Sequence, residues 1–216
     1  MLFTALSVNK SDELTYRLRR SRRRTLGLQI DPDGSVVARV PFRAPLPLVD
    51  TFIRQHLPWI HRTQQRVRAR LRLLPVWRFE AGEIFPVWGE LRALNLSVDA
   101  PLCRKTALTF YRLEVEKYAK TLLPVLTTRV GTWPQRLSVG LARHRWGSCS
   151  SRGHIRLNAR LAMMPPELLE YVLVHELAHL RQPNHSPRFW EVVESGLPDY
   201  RERRKRLRDY SAYLTL

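Results

Sequence analysis

The apolar positions of residues 26–40 alternate on either side of a polar turn. Leu26, Leu28 and Ile30 precede Asp31-Pro32-Asp33-Gly34, and Val36, Val37, Ala38 and Val40 follow, which predicts two strands joined as a hairpin. From Pro45 or Pro47 the spacing changes to three and four residues through Val49, Phe52, Ile53, Leu57 and Ile60. That predicts one helix running toward Arg72 and stopping at Leu74-Pro75. Residues 80–98 read as short strands with turns at Gly82 and Gly89. Residues 106–130 carry a long helical pattern interrupted at Pro124, expected to pack against the next helix. Residues 136–142 and 154–159 alternate around the turn-rich residues 147–153 and predict a second hairpin. Pro165-Pro166-Glu167 then opens a helix, with prolines in the first turn and an acid at the positive end of its dipole. The pattern is that of an α+β fold, divided into a β-hairpin and helix subdomain over residues 1–100 and a second domain over residues 101–216.

The last of these helices carries the candidate chemistry. Inside the apolar run of residues 171–180 stands His175-Glu176-Leu177-Ala178-His179. Two imidazoles four residues apart lie on one helix face, about 6 Å apart, where a single zinc ion can accept both. Glu176, about 100° further round the helix, can reach a zinc-activated water as a general base without ligating the metal. Val172, Leu173, Leu177 and Leu180 surround the triplet, and polar groups buried in such a setting need partners or a metal.

A catalytic zinc takes a third protein ligand. His185 is the leading candidate, because Pro183 disfavours helical geometry at Gln182 and Asn184 tolerates the left-handed conformation, so the chain can turn back. Glu191 or Glu194, on the helix that Ser186 caps and Pro187 opens, would complete a two-His, one-Glu set instead. The spacing up to His185 is that of the metzincins, but Gln182 replaces their glycine and no Met follows His185, which argues against membership.

Composition narrows the setting. A chain of 216 residues, 44% apolar, can bury a core without staples. Cys103 and Cys149 are too few for a disulfide framework and fit a reducing compartment. Residues 1–7 lack the basic start and unbroken apolar run of a signal peptide, and no run reaches membrane-span length. A cytoplasmic protein without a membrane partner is expected. Lys and Arg number 37 against 19 acids, a net charge of +18 that would attract a polyanion, including nucleic acid. That charge gathers at residues 17–24, 66–72 and 201–208, stretches that read equally as solvated element faces.

Further residues carry a resemblance to a known family. Arg145-Trp146-Gly147-Ser148-Cys149-Ser150, Asn158-Ala159-Arg160-Leu161, the run of residues 171–180, and Asn184-His185-Ser186 with Phe189-Trp190 together resemble the YgjP-like metallopeptidase-domain family. Weaker similarity extends over residues 22–59 and Gly82-Glu83. The resemblance implies a zincin-like core, with the motif helix packed on a small antiparallel sheet and the preceding hairpin edging a substrate cleft. It also implies zinc ligands at His175, His179 and His185.

The expected activity is that of a zinc-dependent metallopeptidase using Glu176 as base, on peptide or protein substrates. Two alternatives stand beside it: a zinc hydrolase of an anionic substrate, such as a nucleotide or a DNA-associated protein, and a non-enzymatic nucleic-acid-binding zinc protein. Arg145, His144 and Asn158 are candidates for cleft or oxyanion donors. Cys149 reads as a turn residue rather than a nucleophile, and Trp146 as packing.

Overall fold

The computed structural model describes residues 6–11, 14–72, 77–80, 82–94, 96 and 101–215. Helices and small sheets are mixed throughout, an α+β arrangement. The chain divides into two compact units, Met1–Pro75 with Thr215 and Val76–Leu214 with Leu216. This division falls at Pro75, earlier than the expected boundary after residue 100. The reason is packing: Phe85 and Val87 are buried in the core of the second unit, and the Trp88 amide donates to the Ala162 carbonyl at 2.7 Å.

In the first unit, β1 (Leu6–Ser11), β2 (Leu14–Ser21), β3 (Gly27–Ile30) and β4 (Val36–Pro41) form one sheet in the order β1-β2-β4-β3. The expected hairpin is β3–β4, antiparallel, closed by Gly34 at φ 84°. Pairing of β2 with β4 is parallel. The single helix expected after Pro45 is two, α1 (Leu46–Gln55) and α2 (Leu57–Arg72). Pro58 explains the break, since it has no amide proton and its ring clashes with the carbonyl four residues back. His56 accordingly leaves helical geometry at φ −107°, ψ 6°. Tyr16, Leu18, Val36, Ala38, Val40, Val49, Ile53 and Ile60 form this unit's core. The expected stop at Leu74-Pro75 lies outside the described residues.

The second unit begins with the hairpin of β5 (Phe85–Val87) and β6 (Glu90–Arg92). Trp88 and Gly89 turn it with φ of 54° and 87°, the two left-handed residues of a tight hairpin. Of the strand pattern expected over residues 80–98, positions 81, 95, 97 and 98 lie outside the described residues. Next comes α3 (Arg104–Val130), which continues through Pro124 instead of breaking there. Pro124 and Lys120, whose carbonyl loses its donor, are both exposed, so water can satisfy that carbonyl.

The remaining elements are β7 (Arg136–Gly140), β8 (Gly147–Cys149), β9 (His154–Asn158), a 3₁₀ turn (Ala159–Met163), α4 (Pro166–Ala178), α5 (Pro187–Gly196), α6 (Tyr200–Asp209) and a closing 3₁₀ segment (Tyr210–Thr215). The expected second hairpin between residues 136–142 and 154–159 does not form. Strands β7 and β9 pair in parallel, and the antiparallel partner of β9 is β8, giving the order β7-β9-β8. The sheet is therefore mixed, not antiparallel. Residues 141–146 cross the end of the central strand from β7 to β8, and that crossing makes the parallel pairing possible.

Helix α4 packs against α3, α5, α6 and β8. Leu168, Leu169, Leu173, Val174, Leu177 and Ala178 are fully buried, so this helix is enclosed on most of its circumference. Two arginines of the basic run in α6 are spent on α4. Arg206 pairs with Glu167 at 2.9 Å, and Arg203 bridges Glu170 and, at 2.8 Å, Asp199. No helix among the described residues is long and apolar enough to cross a membrane.

Candidate metal centre

The enclosed helix α4 delivers His175 and Glu176, and His179 follows at its C-cap, still in helical geometry at φ −64°, ψ −19°. Beyond it the chain turns through Gln182-Pro183-Asn184 and returns His185 just before α5. One ring nitrogen from each of His175, His179 and His185 lies within 4.8 Å of the others. Nε2 of His175 and Nε2 of His185 are 3.1 Å apart. Two nitrogens bound to one tetrahedral zinc at about 2.05 Å stand about 3.3 Å apart, so these two imidazoles are already at ligating separation.

Each ring is held. His179 Nδ1 lies 3.2 Å from the Gln182 carbonyl, and donating there it leaves Nε2 as the lone-pair nitrogen. Phe189 sits beneath all three imidazoles, with ring centroids 4.9, 4.6 and 4.8 Å from His175, His179 and His185. Trp190 stacks on His185 at 5.8 Å, and the Arg204 guanidinium lies 4.4 Å from the centroid of the Trp190 ring. The Nδ1 of His175 is buried without a hydrogen-bond partner. Burial, then the neighbouring His179 and His185, push the His175 imidazolium pKa down to about 3, so this ring is neutral across the physiological range. Burial likewise lowers His179. His175 and His179, whose protonation burial disfavours, converge with His185 in a donor set that fits a divalent metal.

Glu176 is 5% exposed and faces β8. Burial raises its pKa to about 7, with Arg145 acting in the opposite direction. Gly147 is what admits it: a Cβ on that residue would stand 2.6 Å from Glu176 Oε1 and 2.9 Å from Val172 Cγ1. The turn-rich pattern of residues 147–153 predicts a turn at Gly147, whereas it is a strand residue across which the carboxyl lies. The cleft over these groups, about 490 Å³, is lined by residues 147–151 and by His175, Glu176, His179, Pro183 and His185. β8 is an edge strand of its sheet, and its residues line the cleft.

The other sequence candidates are placed differently. Glu191 and Glu194 are exposed on α5 outside the histidine cluster, and Glu194 pairs with Arg201 at 3.7 Å. Asn158 is 2% exposed, and both its amide protons are committed, to the Ala142 and Arg145 carbonyls at 2.8 and 2.9 Å. Its oxygen accepts from the Arg160 amide. It pins the crossing loop to the end of β9 and has no proton left for an oxyanion. Arg145 and His144 are exposed on that loop, and Arg145 is the one whose charge is felt at Glu176. Cys149 lines the cleft with its thiol pKa raised by burial and then by Glu176, a protonated group rather than a nucleophile. Trp146 packs against the core. Phe189 enters the sequence reading only through the family resemblance, and the Gln182 carbonyl has no signal in the sequence.

A helix bearing two imidazoles and a buried carboxyl, with a third imidazole returned by the following loop, makes a candidate metal centre. The YgjP-like family, described as a metallopeptidase domain, matches residues 24–101 and 91–210. The chain belongs to the YgjP-like family, and membership in a metallopeptidase family implies a metal ion. Among solved structures, the metallopeptidase zymogen of Pyrococcus abyssi abylysin is similar with a TM-score of 0.39 and 26% identity, over 41% of this chain and 90% of that one. No curated protein matches.

Proposed function

We propose that the protein is a zinc-dependent metallopeptidase with a zincin-like core, in which His175, His179 and His185 hold the metal and Glu176 is the general base. The observation that carries this reading is the convergence of three imidazole nitrogens within 4.8 Å beside a buried carboxyl at the floor of one cleft. Bound there, zinc supplies a Lewis acid that makes water nucleophilic near neutral pH and polarises a carbonyl. Glu176 takes the proton from the attacking water on its carboxylate and returns it to the leaving amide nitrogen. Burial disfavours the charge on its carboxylate, which helps it hold the proton it has taken.

The substrate is a peptide, and β8 supports that choice. An edge strand alongside the cleft can add an extended chain by backbone hydrogen bonds, and Gly147 and Ser148 offer little side chain to obstruct it. Arg145 keeps the ionised form of Glu176 accessible and is the remaining candidate for oxyanion stabilisation. Glu176→Gln tests the assignment: the variant is expected to retain one zinc per chain by elemental analysis and to lose hydrolysis of casein. Retained hydrolysis would remove Glu176 as base.

A further inference from the structure

A second concavity lies beside the cleft within the same unit. The N-terminal turns of α3, strand β7, the start of the crossing loop and β9 enclose a groove of about 850 Å³. Six cationic side chains line it: Arg104, Lys105, Arg112, Arg143, Arg156 and Arg160. No carboxylate and no aromatic ring is among its described lining residues. Arg160 is 5% exposed, and its pKa is lowered to about 10 by burial and then by Arg104 and Arg143, a sign of how strongly the cations act on one another. Gly140 lets Arg156 lie across β7, since a Cβ there would stand 2.6 Å from the Arg156 Nε. Leu108, Val139 and Leu141 supply an apolar floor.

The groove and the metal cleft each share lining residues with one small cavity. That cavity shares Gly140, Leu141, Ala142 and Arg156 with the groove, and shares Gly147 and Ser148 with the cleft. A single extended ligand can therefore occupy both. Single-stranded nucleic acid would be expected to find aromatic platforms in such a groove, and it has none. Guanidinium groups over an apolar floor suit carboxylate side chains on a polypeptide.

We propose that the groove is an exosite for an acidic segment of the substrate polypeptide, positioning the neighbouring peptide bond over the metal centre. The inference deepens the peptidase reading and rests on it. The test uses zinc-loaded full chain and pairs of fluorogenic peptides sharing one scissile sequence, flanked by four Glu or four Gln, on the N-terminal side in one pair and the C-terminal side in the other. In one pair the Glu peptide is expected to show a KM lower by about tenfold at low salt, the advantage shrinking at about 0.5 M salt. Arg112→Glu combined with Arg143→Glu should abolish that advantage while leaving kcat on the Gln peptides unchanged.

Equal KM values for Glu and Gln peptides would overturn the exosite and leave the peptidase reading intact. Binding of the same peptides to Glu176→Gln, followed by fluorescence anisotropy, separates the two failures. Tight, charge-reversal-sensitive binding of the Glu peptide without cleavage of any peptide by the native chain would support the groove and sink the peptidase. An oligonucleotide of equal charge binding more tightly than the Glu peptide, with the same sensitivity to the double variant, would overturn the acidic-polypeptide assignment.

Discussion

Glu176 shows how much a single buried carboxyl can govern. Its folded-state pKa of about 7 lies above the ordinary carboxylate value of 4.5, so the metal-free fold holds the proton more tightly than the unfolded chain does. Stability from this group is complete below pH 4.5 and is lost as pH rises through 7, a change on the order of 3 kcal/mol. Replacing Glu176 with Gln removes the ionisation. In denaturant melts of metal-free protein the variant should be more stable than the native chain by about 2–3 kcal/mol at pH 8 and nearly equal at pH 4.5. Equal stability at both pH values would contradict the burial assigned to this carboxyl. Gly147 governs the same group from the other side. Gly147→Ala forces its Cβ against Glu176 and Val172, at a cost of about 1–3 kcal/mol. Activity should fall well below the native level while zinc content stays at one per chain, measured together on one preparation; native activity would show that β8 yields freely.

Elements were legible where local pattern alone decides them. Period and proline placement announce β3, β4, the start of α1, α3 and α4, because amphipathic spacing and proline placement act within a few residues. The sheet around β9 was not legible. Alternation in residues 136–142 and 154–159 is the same whether the strands run parallel or antiparallel, and the strand between them, Gly147-Ser148-Cys149, has no apolar alternation to announce it. Only the long-range pairing of Gly147 with Leu157 and Cys149 with Ile155 makes it a strand. Within the site, the motif pair and His185 stood out by residue type, while the carbonyl of Gln182 and the ring of Phe189 act through positions that sequence spacing does not reveal. Prolines misled in both directions. Pro58 splits a helix that its apolar spacing would continue, and Pro124 fails to split one because the carbonyl it deprives faces water. Pro124→Ala restores a backbone hydrogen bond in the middle of α3 and should stabilise the protein by about 1–2 kcal/mol after the greater freedom of the unfolded chain is counted. A thermal melt that shows no gain would mean that the helix is already distorted to suit the ring.

At the scale of the molecule, two hydrophobic cores serve one chain, and the metal centre belongs to only one of them. His175, His179 and His185 are all in the second unit, on or beside a helix that packs against α3, α5, α6 and β8. A ligand bound only by the folded form stabilises it in proportion to the logarithm of its concentration over its dissociation constant, about 4 kcal/mol at a thousandfold excess. The neutral His175 raises that affinity further, because it does not have to lose a proton before ligating. The stabilisation should therefore fall on the unit that holds the ligands. In hydrogen exchange followed by mass spectrometry, chelation is expected to lower amide protection in α4, α5 and β9, and to leave β2, β4 and α1 at their metal-loaded rates. Added zinc should reverse the change. Unaltered exchange in α4 on chelation would remove the metal from this centre, and an equal loss of protection in β4 would show that the metal stabilises the chain as one cooperative body rather than through the core that surrounds the histidines.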